Sequence, residues 1–358
     1  MTTQLQTTSL YLEHLALNAK MAPFAGFDMP LQYSSVKEEV LAVRNEAGVF
    51  DVGHMGEFIV EGTDAISFVD YLVTNDFKKS ELKKAVYSPL CRENGTVIDD
   101  LIAYKLAPNR VLICVNASNI KKDWDWMNSK LGGFNCTLTD LSKNYSLLAV
   151  QGPRVEAIFK ELGLIGNSEI PYYSAYETKY EFEELILART GYTGEDGFEV
   201  FCSHVFAKVF WQKLLSMGVK PCGLAARDVL RLEVCYPLYG HELNDEITPL
   251  DAGLSWTVKL DKDNFIGKAA LAEYQPKLRL IKLSLDRGIP REGYPVLNSE
   301  NVEIGKVTSG TMSVVTGKGI AFALVEKSKI TKELFINIRN TNYEAHLHTK
   351  AFVNGGHK

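Results

Sequence analysis

The sequence predicts an α+β protein of two or three domains that ends in a small all-β barrel or sandwich. Three observations carry that expectation. Between about residues 50 and 140, strand-like runs (GEFIVEG, VIDDLIAYKL, RVLICVNA) alternate with the helical stretches ISFVDYLVT and NIKKDWDWMNSKLGG. Beyond about residue 275 the composition changes: RLIKLSLD, EIGKVTSGT, GIAFALVE, ELFINIR and EAHLHTKAFV are short strands parted by Gly, Pro, Asn and Asp turns. The chain has 358 residues, more than a single domain of roughly 150 residues accommodates.

Along the chain, Leu12, Leu15, Ala16 and Ala19 follow a Thr-Thr-Ser start at helical spacing and predict a short amphipathic helix. FAGFDMPLQY follows, then VKEEVLAVRNEAG, a helix closed by Gly48. SLLAVQGPRVEAIFKEL passes from strand through Gly152-Pro153 into helix. HVFAKVFWQKLLSMG sets Val205, Phe206, Val209, Phe210, Leu214 and Leu215 on one side of a helix, with Gly218 at the expected C-cap.

Composition narrows the function. A formal net charge of −5, from 39 basic and 44 acidic residues without a long basic run, argues against nucleic acid as the main partner. The six cysteines show no CxxC pair and read as reduced thiols rather than a disulfide framework or a zinc site. No apolar stretch is long enough to span a bilayer, and the N-terminus lacks a continuous apolar core for a signal peptide. These features point to a cytoplasmic protein with no membrane partner.

The chemistry concentrates in a few stretches. GTVIDDLIAYKL places Asp99 and Asp100 inside a strand-forming apolar run, where carboxylates are rare unless paired, hydrogen-bonded or used. Neighbours on a regular strand point to opposite faces, so the two cannot form a carboxylate dyad; a solvated turn before the strand is the alternative. TGYTGEDGFEV lacks the features of a phosphate loop. It reads either as a plain hairpin turn or as a loop presenting Tyr192 and the Glu195 carboxylate to a cleft, where an anion would suit a planar edge with two donors. In GLAARDVLRLE, Arg227 and Arg231 share a helix face, as a clamp or as internal ion pairs. His54 and Met55 of FDVGHMGEF, Trp256, and the Tyr172-Tyr173 pair suit a cleft wall or a core equally well. His346 and His348 share a strand face but lack a third nearby ligand, so no metal site is expected there.

In order, FAGFDMPLQY, FDVGHMGEF, VIDDLIAYKL, VNASN, LLAVQGP, TGYTGEDGFEV, GLAARDVLRLE, LYGHEL and TSGTMS closely resemble the aminomethyltransferase, or T-protein, family of the glycine cleavage system, over residues 10 to 355. The resemblance implies a three-domain, cloverleaf-like folate-binding architecture around a central opening. Its expected parts are a discontinuous first domain (1–50 plus 141–274), a second α+β domain (51–140) and a C-terminal β-barrel domain (275–358). It implies tetrahydrofolate as acceptor co-substrate and the lipoylated H-protein as partner, with ammonia and methylene-tetrahydrofolate as products. Residue by residue, it implies that Asp99 approaches the folate nitrogens as the catalytic carboxylate while Asp100 points away into the scaffold. Glu195 would pair with the pterin edge. Tyr192, Tyr87, Met55, Tyr104 and Trp256 would wall the ring, Asn116 would hydrogen-bond it, and Arg227 would serve as a polar clamp.

Three positions depart from the family's usual pattern: Gly53 for serine, Thr96 for a second glycine, and His241 where glutamine or another polar residue is common. Two other readings use the same cradle, a tetrahydrofolate-dependent demethylase of a small sulfonium or amine, and a non-catalytic folate-binding protein of iron–sulfur cluster maintenance. The second is disfavoured because Cys235, in EVCYPLYGHE, lacks that branch's lysine-glycine before it.

Overall fold

The computed structural model describes residues 4–166 and 170–356. Two sheets and a barrel organise the chain. One sheet has six strands in the order Ala175–Tyr180, Glu183–Ala188, Gly197–Cys202, Ser146–Gln151, Gly48–Asp51 and Lys220–Pro221. The other has five, Ala85–Cys91, Val97–Ala107, Arg110–Val115, Gly56–Gly62 and Cys136–Asp140. The six-stranded sheet is therefore built from segments on both sides of the chain that makes the five-stranded one.

Period-2 burial explains the stacking. In Ser146–Gln151, Leu148 and Val150 pack with Phe159, Phe198, Phe210 and Trp211, below the helices Val155–Glu161 and His204–Ser216. The alternate residues Leu147 and Ala149 turn the other way and join Phe50, Ile186 and Phe201. There they meet Ile59, Tyr104, Leu106 and Leu112 of the five-stranded sheet. That sheet's far face, including Phe58, Leu101 and Ala103, is covered by the helices Ala65–Leu72 and Ile120–Lys130 through Phe68, Val69 and Met127. Because the inner strands of both sheets are buried on both faces, they read as continuous apolar runs, and any carboxylate within them is conspicuous.

The C-terminal strands close into a barrel in the order Leu278–Leu285, Gly319–Glu326, Glu303–Met312, Pro295–Asn298, Leu334–Ile338 and Thr341–His348, so the all-β ending expected from the sequence is present as a barrel. His346 and His348 make ordinary contacts there, to Asp286 Oδ2 at 3.2 Å and Ser284 Oγ at 2.8 Å. Among the described residues no cluster of His, Cys, Asp or Glu could hold a metal ion, and no helix is long and apolar enough to cross a membrane.

Two local features aim residues at the middle of the molecule. The hairpin Lys20–Phe24/Phe27–Gln32 turns on Ala25 and Gly26, both at positive φ (48° and 84°), as a two-residue hairpin turn of matching twist requires. The helix Leu224–Glu233 begins at Gly223, whose N–H donates to Glu39 Oε2 at 2.8 Å. A Cβ on Gly223 would lie 2.3 Å from the Leu31 carbonyl, so only glycine lets this helix start against the hairpin.

Candidate functional site

The hairpin, both sheets, the Leu224–Glu233 helix and the barrel enclose one cavity of about 1590 Å³. It exceeds the roughly 300–1,000 Å³ of common small-ligand pockets and has room for two reacting groups. Seven of the nine expected site residues line it: Met55, Tyr87, Tyr104, Asn116, Tyr192, Arg227 and Trp256. Asp99 and Glu195 do not.

The aspartate pair obeys strand alternation with the faces opposite to expectation. Asp100 lines the cavity, and Asp99 is fully buried on the other side. Asp100 Oδ2 accepts from Tyr87 Oη at 2.9 Å and Oδ1 from Asn116 Nδ2 at 2.9 Å. Burial, and then the Asp99 carboxyl next to it, push the Asp100 pKa up to about 7. Tyr87 in turn stacks on Trp256, with ring centroids 6.0 Å apart and planes 24° apart. Trp256 is 57 % exposed and forms the rim of the cavity rather than its floor.

Glu195 is placed away from the cavity as well. Its Oε1 accepts from Arg44 Nη1 at 2.8 Å, and Arg44 also binds Glu233 Oε2 at 2.8 Å and the Thr193 carbonyl at 2.6 Å. Glu233 Oε1 accepts from Ser313 Oγ at 2.8 Å and from the Val315 N–H at 3.1 Å. This cluster ties the TGYTGE turn to two helices and the barrel. Gly356 packs against the Glu195 carboxylate and donates its N–H to the Gly194 carbonyl at 2.9 Å, which closes that side.

The carboxylate that the same motif does bring to the cavity is Glu199. It lies in the strand Gly197–Cys202, all of whose residues are buried, and its Oε2 accepts from Thr190 Oγ1 at 2.6 Å and Tyr104 Oη at 3.4 Å. Both donors converge on the same oxygen, Oε2. A carboxylate in the middle of an apolar strand is the signal that singled out Asp99 and Asp100. It recurs in GFEVFC.

The two arginines divide as well. Arg231 is an internal clamp that binds Asp228, Glu242 Oε2 (2.9 Å), Ser309 Oγ (2.6 Å) and the Tyr236 carbonyl (3.1 Å). Arg227 sits over the Tyr192 ring at 5.0 Å, and its Nη1 is buried without a hydrogen-bond partner. Burial lowers its pKa, opposed by the Glu199 carboxylate. A buried guanidinium donor left open on a cavity wall is a place for a ligand oxygen or carbonyl. Tyr192 itself is held by donating its hydroxyl to the Pro237 carbonyl.

His54 also lines the cavity, edge-on to Phe24 with centroids 5.4 Å apart, and its Nδ1 is buried and unpartnered. Burial lowers its pKa to about 4, with Asp51 opposing and Arg227 adding to the fall, so the ring is neutral near pH 7. Neither Gly53 nor Thr96 lines the cavity: Gly53 donates to Asp51 Oδ1 at 2.8 Å, and Thr96 binds Asn94 Oδ1. His241 does line it, with Nδ1 3.1 Å from the Thr308 carbonyl.

The cavity thus offers an anion (Glu199) near an open guanidinium (Arg227), and a carboxyl poised to titrate (Asp100) between tyrosine and asparagine. That set can hold a planar heterocycle with both donors and acceptors on its edge while Asp100 stabilises positive charge or moves a proton. The fit to a pterin is chemical, from the donor and acceptor set.

Comparison with known proteins agrees with this architecture over the whole chain. Residues 10–262 match the GCVT N-terminal domain and residues 279–354 the glycine cleavage T-protein C-terminal barrel domain. The aminomethyltransferase of Thermosipho melanesiensis is 45% identical over 98% of both chains. That of Staphylococcus saprophyticus is 42% identical over 96% of this chain and 97% of its own. The crystal structure of the glycine cleavage system aminomethyltransferase T from Bartonella henselae superposes with a TM-score of 0.93 at 34% identity, covering 99% of each chain. With matches of this extent in both sequence and fold, the chain belongs to the glycine cleavage T-protein family.

Proposed function

We propose that the protein is an aminomethyltransferase that moves the aminomethyl-derived one-carbon unit from the lipoyl arm of an H-protein to tetrahydrofolate, releasing ammonia. The observation that carries this reading is the set of groups brought to one cavity: the Glu199 carboxylate and the open Arg227 guanidinium, together with Asp100 at the edge of the stacked Tyr87–Trp256 pair. Glu199 Oε1 accepts from the donor edge of the pterin, and Arg227 Nη1 donates to an oxygen of the ring system or its linker. Tyr104 and Thr190 hold the Glu199 carboxylate in place.

Asp100, as an anion, stabilises the positive charge that develops as the one-carbon unit leaves the lipoyl sulfur and is taken up by a folate nitrogen. Its pKa, near neutrality, lets the same carboxyl accept a proton from that nitrogen. Tyr87 and Asn116 fix its orientation through one hydrogen bond to each oxygen. The walls from both sheets and the barrel keep water away from a reactive iminium-like carbon. The lipoyl arm is covalently carried, so its protein docks at the cavity mouth, where exposed Trp256 stands. Three packed blocks around this opening fit the discontinuous first domain, the α+β second domain and the C-terminal barrel domain expected from the sequence, and a cytoplasmic location suits a lipoyl carrier as donor.

The demethylase alternative uses the same folate wall with a different donor. The two are separated by offering tetrahydrofolate with either aminomethyl-loaded lipoyl H-protein or small N-methyl and S-methyl donors, and following folate products by chromatography. Methylene-tetrahydrofolate from the lipoyl donor alone supports the proposal. Product from the small methylated donors alone overturns it.

A further inference from the structure

Behind Asp100 lies a second acidic pair that the transfer step does not touch. Asp99, on the strand Val97–Ala107, and Asp123, on the helix Ile120–Lys130, are both 0 % exposed. Asp99 accepts three N–H bonds: Asn116 N at 3.1 Å, Asn116 Nδ2 at 2.8 Å and Asn119 Nδ2 at 2.6 Å. No N–H or O–H of the described residues reaches either oxygen of Asp123. The Asp99 carboxyl is the charged group that acts on it most strongly, and it lies close enough for the two carboxyls to interact directly.

Two carboxylates have only acceptors to offer each other, so this contact is a hydrogen bond only when one of them carries a proton. Asp99, with three donors, is the better anion. Asp123, with none, is the better acid. Burial raises both carboxyls, but at Asp99 the bonds to Asp123, Asn116 and Asn119 oppose the rise, whereas burial and then the Asp99 charge raise Asp123 well above the ordinary range, with Lys122 opposing and Asp100 adding to the rise. Asn116 joins the pair to the cavity, since its Nδ2 donates to Asp99 Oδ1 and to Asp100 Oδ1 alike.

We propose that Asp123 is a positioning residue for the one-carbon transfer: a buried carboxylic acid that donates its proton to Asp99 and holds it as an anion, so that a fixed negative charge, bridged by Asn116, stands directly behind Asp100. The charge at Asp99 helps keep Asp100 protonated until a cationic group arrives in the cavity. The groups that face the array are Asp100, Asn116, Asn119, Cys114 and Tyr239 around Asp99, Lys122 beside Asp123, and Tyr87, Tyr173 and Tyr192 around Asp100. The kinetic role rests on the reading of Asp100 given above; the protonation of Asp123 does not.

The test has two arms. In the first, protein labelled with ¹³C at the aspartate γ-carbon is titrated by NMR. At pH 8 the wild type is expected to keep one aspartate carboxyl protonated, and Asp123→Asn to lose that signal. In the second, the pH dependence of kcat/KM is compared across variants. Asp123→Asn keeps an N–H donor toward Asp99 and leaves the acid limb where it was. Asp123→Leu removes the donor, so Asp99 is protonated more readily, its charge fades, and the acid limb moves down by about one pH unit. A role in packing alone would lower the rate without moving the limb or restoring it in the asparagine variant. If Asp123→Leu does not fold, the wild type and Asp123→Asn decide the question by NMR. All aspartates ionised at pH 8, or equal displacement of the limb in both variants, overturns the proposal. A persistent NMR signal with no acid limb in the wild type overturns instead the reading of Asp100, and with it the positioning role.

Discussion

Replacing Asp100 by asparagine separates charge from shape at the point where the cavity is expected to do its chemistry. The side chain keeps its size and can still meet the Tyr87 hydroxyl, which donates to Asp100 Oδ2 at 2.9 Å in the native protein. What it loses is the anion. A pKa raised from 3.8 to about 7 means that ionising Asp100 in the cavity costs on the order of 4 kcal/mol more than ionising a solvated aspartate. A positive charge developing within about 4 Å returns an amount of that order at an effective dielectric near 20. Asp100→Asn forfeits that return, and kcat is expected to fall about 10²- to 10³-fold at pH 8, with folate affinity nearly unchanged. The sign of the pH dependence follows from the raised pKa. The carboxyl is protonated below it and ionised above, so wild-type kcat/KM rises as pH increases through about 7 and then levels. At pH 5.5 it is about thirty-fold below the plateau. The variant has no such limb. The assay is initial-rate formation of methylene-tetrahydrofolate between pH 5.5 and 8.5, with folate affinity measured separately by calorimetry. Full activity in Asp100→Asn, or loss confined to Asp99→Asn, would refute the assignment and return the role to the first aspartate.

Other substitutions probe the rest of the account. Glu199→Gln is expected to weaken tetrahydrofolate binding by about 1.5–3 kcal/mol, roughly ten- to a hundred-fold in calorimetry, because a charge-assisted bond becomes mismatched. Glu195→Ala is expected to leave folate affinity within about two-fold and to cost about 1–3 kcal/mol of stability in chemical denaturation, since the buried Arg44 guanidinium loses one of its two carboxylates. Trp256→Ala is expected to change stability by less than about 0.5 kcal/mol, as its side chain is largely exposed, yet to raise the apparent KM for the loaded lipoyl carrier.

Much of this was legible in the residues, and the two carboxylates that lie away from the cavity, Asp99 and Glu195, show where legibility stopped. The Val97–Ala107 strand is buried on both faces, so the apolar pattern around Asp99 and Asp100 does not say which face is the cavity. Parity does. Tyr104, Ile102 and Asp100 are spaced by two, and all three line the cavity, whereas Ala103 and Leu101, in step with Asp99, pack under the helices, Leu101 also reaching the cavity's border. Placing Tyr104 at the ring therefore already required Asp100, not Asp99, to share its side. Glu195 drew attention as the acid at the tip of a glycine turn, but a turn acid is free to pair, and its partner Arg44 lies 151 residues away in sequence. Nothing local announces such a contact. Glu199, in contrast, sits inside GFEVF, where an unpaired carboxylate would be costly, and that cost was the better guide. The open donor of Arg227 and the acid at Asp123 arise only once the helices have docked, and they are properties of the assembled fold.

The most direct test of the central claim is ammonia release from aminomethyl-loaded lipoyl H-protein by the purified protein, measured with and without tetrahydrofolate. The account predicts fast release only when tetrahydrofolate is present, with methylene-tetrahydrofolate appearing in equal amount. Tight folate binding at Glu199 and Arg227, with no folate-dependent release and no one-carbon product, would contradict it.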